Sequence, residues 1–275
     1  MARLMYGTIR SKGLRIQYYR TGEEKPVLIF LHGALDNALC WNNLPVFLEP
    51  EYDVVLVDAR GHGISAASET GYSPEAQAED VAALIQELRL YQPVLIGHSM
   101  GADTAAAAAV KFPGLIKGII LEDPPWRDDY FGITQEERSA KAAEMIAQIQ
   151  AYKSMSFDDL IAYGKASHPS WDESEFFQWT KARQLASPKV ALSITEPRGN
   201  WKELAVQIRC PGLLITGDPN LGAIITPEVS AEVSRLWKMV EIVNIPNAGH
   251  HIRREQYRPY RDVVKKYLRK IKRIK

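Results

Sequence analysis

The chain has 275 residues, of which 46% are hydrophobic and 24% charged, with a formal net charge of +1. That length and apolar content suit one core domain with an insertion. The balanced charge lacks the basic excess that a nucleic-acid-binding face needs, so no nucleic-acid partner is expected. The one basic run, Lys265 to Lys275, reads as the solvated end of a terminal helix, where the helix dipole favours cations. Cys40 and Cys210 are far apart and show no metal-ligand spacing. Two buried thiols in a reducing compartment are the simpler reading, with a disulfide left open. The segment Met1 to Arg10 lacks the apolar core of a signal peptide, and no apolar run is long enough to span a bilayer. A cytoplasmic protein of open oligomeric state is expected.

In chain order, Met5–Arg10 and Leu14–Arg20 are β-rich runs that form an opening hairpin at a sheet edge. Val27–Leu31 is continuously apolar, the mark of a strand buried on both faces, and it ends in His32-Gly33-Ala34. Asp53–Asp58 is a second such strand, followed by Ala59-Arg60-Gly61-His62-Gly63. Ser73-Pro74 caps a helix whose apolar residues Val81, Leu84, Ile85 and Leu88 recur at helical spacing. Strand Val94–Ile96 runs into Gly97-His98-Ser99-Met100-Gly101, and the alanine-rich helix Ala102–Lys111 follows. Strand Ile116–Leu121 ends at Glu122-Asp123-Pro124-Pro125. Up to this point strand and helix alternate, which means a parallel sheet covered on both faces.

The rhythm then breaks. From Trp126 to about Ala205 the sequence predicts only helices, over 134–152, 157–167 and 172–186 and near Trp201. It resumes with strand Gly212–Thr216, helix Pro227–Trp237, strand Val240–Ile245 and a closing helix Arg253–Lys272. Residues 1–125 and 206–275 are therefore expected to form the α/β core, and 126–205 an all-helical insertion.

A serine on a sharp strand-to-helix turn holds its hydroxyl clear of its own backbone, and glycines on either side relieve the crowding there. Ser99 is the candidate nucleophile. With His32-Gly33, the Asp58-Ala59-Arg60-Gly61-His62-Gly63 loop and Ala248-Gly249-His250, this elbow makes the chain resemble the α/β-hydrolase superfamily over nearly its whole length. The likeness is nearest to the esterase, lactonase and carbon–carbon-bond hydrolase branch. It implies a mostly parallel eight-stranded sheet with helices on both faces, and a helical cap formed by the insertion.

A serine hydroxyl needs a base within hydrogen-bond reach, and the base needs a third group to orient it. The resemblance puts the base at His250, the residue after Gly249, with His251 as the alternative. In the family the acid usually follows the glycine that ends the seventh strand. Here the position three beyond Gly217 is Asn220, a departure that leaves Asp218 as the first candidate. Asp123, at the end of the sixth strand, is the second; some haloalkane dehalogenases place their acid there. Glu122 is one residue away and faces the other side of the strand. The developing oxyanion needs two backbone N–H donors. Met100, at a helix N-terminus, and Ala34 are expected to supply them, with Leu35 as the alternative to Ala34.

Trp126, Trp171, Trp179 and Trp201 fall in the insertion, with Phe131, Phe176 and Phe177. They suggest an apolar roof over Ser99, with Leu35, Trp126 and Trp179 as substrate-binding candidates and an apolar acyl or alcohol group as their ligand. No metal spacing and no phosphate loop occurs, so no cofactor is expected. The leading expectation is a serine hydrolase that cleaves a small-molecule carboxylic ester through an acyl-enzyme. A lactonase or a carbon–carbon-bond hydrolase would use the same residues. A ligand-binding relative without activity is the alternative of another class, and Asn220 is the feature that favours it.

Overall fold

A computed structural model of the chain describes residues 4–128 and 132–273. Strands β1 (Met5–Ser11) and β2 (Leu14–Arg20) pair antiparallel, with Met5 opposite Arg20. Lys12 and Gly13 join them with φ of 48° and 84°, the left-handed pair that a tight hairpin turn requires. The remaining strands are β3 (Val27–Leu31), β4 (Asp53–Val57), β5 (Val94–His98), β6 (Gly118–Glu122), β7 (Gly212–Thr216) and β8 (Val240–Asn244). They pair parallel to one another, β2 joins β4 antiparallel, and the order across the sheet is β1-β2-β4-β3-β5-β6-β7-β8.

The helices in chain order are α1 (Asn43–Leu48), α2 (Pro74–Glu87), α3 (Met100–Lys111), α4 (Gln135–Ser154), α5 (Phe157–Ser167), α6 (Glu175–Leu185), α7 (Leu192–Thr195), α8 (Trp201–Gln207), α9 (Pro227–Leu236), α10 (Ile252–Glu255) and α11 (Tyr257–Ile271). Among the described residues no helix is long and apolar enough to cross a membrane. Alternation along β3 sorts its side chains between two cores. Ile29 and Leu31 join the buried residues of α2, α3 and α8, while Leu28 and Phe30 join those of α1 and α11. On α3, Ala102 and Ala105 to Ala109 are all buried, so the helix lies close against the sheet and aims its N-terminus past the end of β5.

Between β6 and β7 the described residues contain no strand. Residues of α4, α5 and α6 pack on one another around Ile149, Tyr152, Leu160, Trp171, Phe176 and Trp179. Trp126 and Trp201 do not join that group. They stack on each other in the α/β core, with ring centroids 5.8 Å apart and planes 9° apart, and α8 packs there with them. The closing helix expected over 253–272 is two helices, broken at Gln256 (φ −133°). Pro259 explains the break: its ring would clash with the carbonyl of Glu255 if one helix ran through.

Candidate active site

Ser99 links β5 to α3 with φ 50° and ψ −115°, a conformation that non-glycine residues rarely adopt. Such backbone costs about 1–3 kcal/mol and persists only where its surroundings hold it. Here Ser99 N donates to Glu122 O at 2.9 Å, and Ser99 O accepts from the N–H groups of Ala102 and Asp103 in the first turn of α3. The turn is tight enough that a Cβ at Gly97 would overlap the carbonyl of Gly101, and one at Gly101 would overlap that of Leu31. Both glycines are therefore steric requirements of the elbow.

β5 and β6 run in parallel register, with His98 opposite Glu122. The residue after each strand, Ser99 and Asp123, thus lies at the same end of the sheet. Asp123 is fully buried and has φ 43°. Its Oδ1 accepts from Ile225 N at 3.0 Å and its Oδ2 from Ile224 N at 2.8 Å. Oδ2 also accepts from His250 Nδ1 at 2.7 Å. This bond puts the proton on Nδ1 and leaves Nε2 as the nitrogen with a lone pair. The loop that carries His250 is held at the elbow, since His98 Nε2 donates to His250 O at 3.0 Å.

The expectation for the acid is corrected by this geometry. Asp218 does not serve His250. Its carboxylate caps the short turn Pro219–Leu221 by accepting from Asn220 N at 2.9 Å, and its own N–H donates to Ala248 O. The carboxylate on the histidine is Asp123, the second candidate. Glu122 lies on the other side of its strand and accepts from Arg253 N at 2.9 Å; burial lifts its pKa against the opposing pull of Arg253. His251 is half-buried, and desolvation of its ring with Arg254 nearby holds its pKa well below the ordinary imidazole value.

Ser99, Met100 and Ala34 line one cavity of about 140 Å³. Its other walls include Tyr72, Gln77, Asp103, Met145, Ile194 and Arg198. The three proposed substrate-binding residues are not among its walls. Trp126 is fully buried in the core and its Nε1 donates to Asp103 Oδ1 at 2.8 Å. Trp179 packs between helices, with the Arg183 guanidinium 3.7 Å from its ring centre. Leu35 is buried with φ 62°, and its carbonyl faces Arg183. The walls of this cavity are accordingly mixed in polarity, because Trp171, Phe176 and Trp179 turn into the packing between helices and Trp126 and Trp201 into the α/β core. Phe177 is exposed, and Phe131 lies outside the described residues.

With this geometry in place, the comparisons decide the family. Residues 28–265 match the family model described as the alpha/beta hydrolase family. The chain belongs to that family. A 2-(acetamidomethylene)succinate hydrolase of Mesorhizobium japonicum is 27% identical over 239 residues, 82% of either chain. An N-formylmaleamate deformylase of Pseudomonas putida is 27% identical over 252 residues, 90% of either chain. The crystal structure of an E-2-(acetamidomethylene)succinate hydrolase has the same fold, with a TM-score of 0.81 at 21% identity over 97% of this chain and 99% of that one.

One feature of this α/β hydrolase is absent from the sequence reading. Asp36, two residues beyond Ala34, accepts from Arg253 at 2.9 Å, from Arg254 at 3.2 Å and from Arg183 at 3.4 Å. Glu122 and Glu175 supply the other carboxylates of this buried group. Each guanidinium also lies over an indole: Arg253 over Trp41, Arg254 over Trp171 and Arg183 over Trp179. Burial opposes ionisation of Asp36, but the three arginines outweigh it and hold its pKa well below the ordinary value of 3.8. The group ties together the loop of Ala34, the loop of His250 and helix α6. No local sequence pattern reports it, because its members are up to 218 residues apart.

Proposed function

We propose that the chain is a serine hydrolase in which Ser99, His250 and Asp123 act on a small carboxylic ester through an acyl-enzyme. The observation that carries this reading is the 2.7 Å bond from His250 Nδ1 to the buried Asp123 carboxylate, beside a serine held on a strained elbow. His250 Nε2 takes the Ser99 proton as Oγ attacks the carbonyl carbon, and returns it to the leaving alcohol. Asp123, already held by Ile224 and Ile225, keeps the imidazole in the required tautomer and stabilises the imidazolium. The N–H groups of Met100 and Ala34 receive the oxyanion, an interaction worth about 10²–10³ in kcat per donor in comparable sites. Water then repeats the cycle on the acyl-enzyme. We read α4 to α6 as the cap over this site.

A second reading concerns the bond. Two relatives that match over most of the chain are named for a 2-(acetamidomethylene)succinate and an N-formylmaleamate, and the mixed walls of the cavity suit a compact polar substrate. Cleavage of a small amide by the same three residues is the form this reading takes. Lactone and carbon–carbon substrates would use them too. A non-catalytic binder drew its support from Asn220; with Asp123 bonded to His250, a carboxylate is present without it. Ser99→Ala tests the reading directly. Turnover of p-nitrophenyl acetate should fall by at least about 10³-fold; a rate within tenfold of the parent would refute the assignment of Ser99.

A further inference from the structure

Beyond the far end of the cavity at Ser99 lies a second cavity of about 210 Å³, lined by Val110, Trp201, Leu204 and Glu203 among others. The two cavities share four lining residues: Pro74, Asp103, Pro125 and Arg198. Two of these, Asp103 and Arg198, form an ion pair through Arg198 Nη2 and Asp103 Oδ2. Asp103 stands one helical turn beyond Ser99 on α3, so the pair closes the site on the side of that helix.

The barrier is held from both sides. Asp103 is 3% exposed and its second oxygen is bonded to Trp126 Nε1. The segment carrying Arg198 is fixed two residues earlier. The carboxylate of Glu196 accepts from the backbone N–H groups of Gly71 and Tyr72, both at 2.6 Å, and of Ser73 at 3.0 Å. Two residues after Arg198, Asn200 caps α8 by accepting from Lys202 N at 2.9 Å. A side chain with such anchors on each flank is a wall with a set position.

We propose that the Arg198–Asp103 pair is the end wall of the substrate pocket and limits the length of the group that Ser99 accepts. This inference rests on the reading of Ser99 as the nucleophile. The space on the near side, about 140 Å³, is close to that of a cavity that holds one benzene molecule. The group it admits is therefore of about six heavy atoms: a short acyl chain or a compact acid. Without the guanidinium the second cavity joins the first, and a longer chain can lie along Val110, Trp201 and Leu204.

The experiment measures kcat/KM on two ester series. In one, the acyl chain of p-nitrophenyl esters grows from two to ten carbons; in the other, the alcohol of alkyl acetates grows over the same range. The parent should lose at least tenfold between short and long members in the series whose variable part faces the wall. In that series Arg198→Ala should raise the long-to-short ratio at least tenfold. Arg198→Met, which keeps the bulk without the charge, should keep the parent's cut-off. Adding Val110→Phe to Arg198→Ala should refill the far cavity and restore the preference for short chains. The proposal is overturned if Arg198→Ala keeps the parent's ratios within twofold in both series while still cleaving the acetate, or if Arg198→Met shifts the ratio as far as Arg198→Ala. Should Arg198→Ala not fold, the shorter Arg198→Gln is judged by the same two criteria. If the parent cleaves no ester or amide and Ser99→Ala changes nothing, the hydrolase reading itself has failed, an outcome distinct from an unchanged chain-length profile.

Discussion

Replacing Asp36 with alanine removes the carboxylate on which three buried guanidinium groups converge, at 2.9, 3.2 and 3.4 Å. Two carboxylates, Glu122 and Glu175, remain for the three arginines, so one buried positive charge is left uncompensated. Removing one partner of a buried ion pair costs about 3–5 kcal/mol. At about 2 °C per kcal/mol for a chain of this size, Tm should fall by roughly 6–10 °C. The sign with pH follows from the depressed pKa of Asp36. Its contribution is fully present above the unfolded carboxyl value of about 4 and is lost only as pH falls through the lower folded value. Thermal unfolding at pH 7.5, followed by circular dichroism, therefore reads the whole effect. A Tm within 2 °C of the parent would refute the account of Asp36 as the node of this group.

Asp123→Asn should lower kcat by about 10⁴-fold, as expected when the group that fixes the histidine tautomer loses its charge. Asp218→Asn, which alters only a turn cap, should change kcat by less than about threefold; comparison of the two rates separates the roles. Stability should also depend on pH below neutrality. Burial first of all lowers the pKa of His62, to about 3, and also lowers those of His32, His98 and His251. In the unfolded chain these imidazoles take up protons below about pH 6.5, while in the fold they stay neutral, so stability falls as pH drops through that range. Each contributes up to about 1.4 kcal/mol per pH unit. The urea midpoint should thus be clearly lower at pH 5.5 than at pH 7.5, and a flat profile would contradict the burial of these rings.

The strands were legible because four- and five-residue apolar runs such as Val27–Leu31 leave little choice for a sheet covered on both faces. The elbow was legible because its glycines answer to contacts within a few residues. The acid was not, since Asp123 and Asp218 stand at the ends of neighbouring strands, and only the path of the loop after β7 brings Ile224 and Ile225 onto one of them. A signal did exist: an aspartate directly before Pro219 has the pattern of a cap followed by a proline at the first position of a turn, which is what Asp218 does. The aromatic roof was misread for a different reason. Trp179 is an apolar residue of an amphipathic helix, and burial against other helices satisfies it without a pocket, while Trp126, in the loop after β6, is buried in the α/β core. Arg198 and Asp103 escaped notice because a single arginine and a single aspartate, 95 positions apart, carry no local pattern.

The most direct test of the Ser99–His250–Asp123 assignment is labelling by a fluorophosphonate, with the modified residue located by mass spectrometry. The parent should carry one adduct, on Ser99. Labelling should vanish in Ser99→Ala, slow by orders of magnitude in His250→Ala and Asp123→Asn, and continue at nearly the parent rate in Asp218→Asn. An adduct on another residue, or a parent that cleaves ester while Ser99 stays unlabelled, would contradict the assignment.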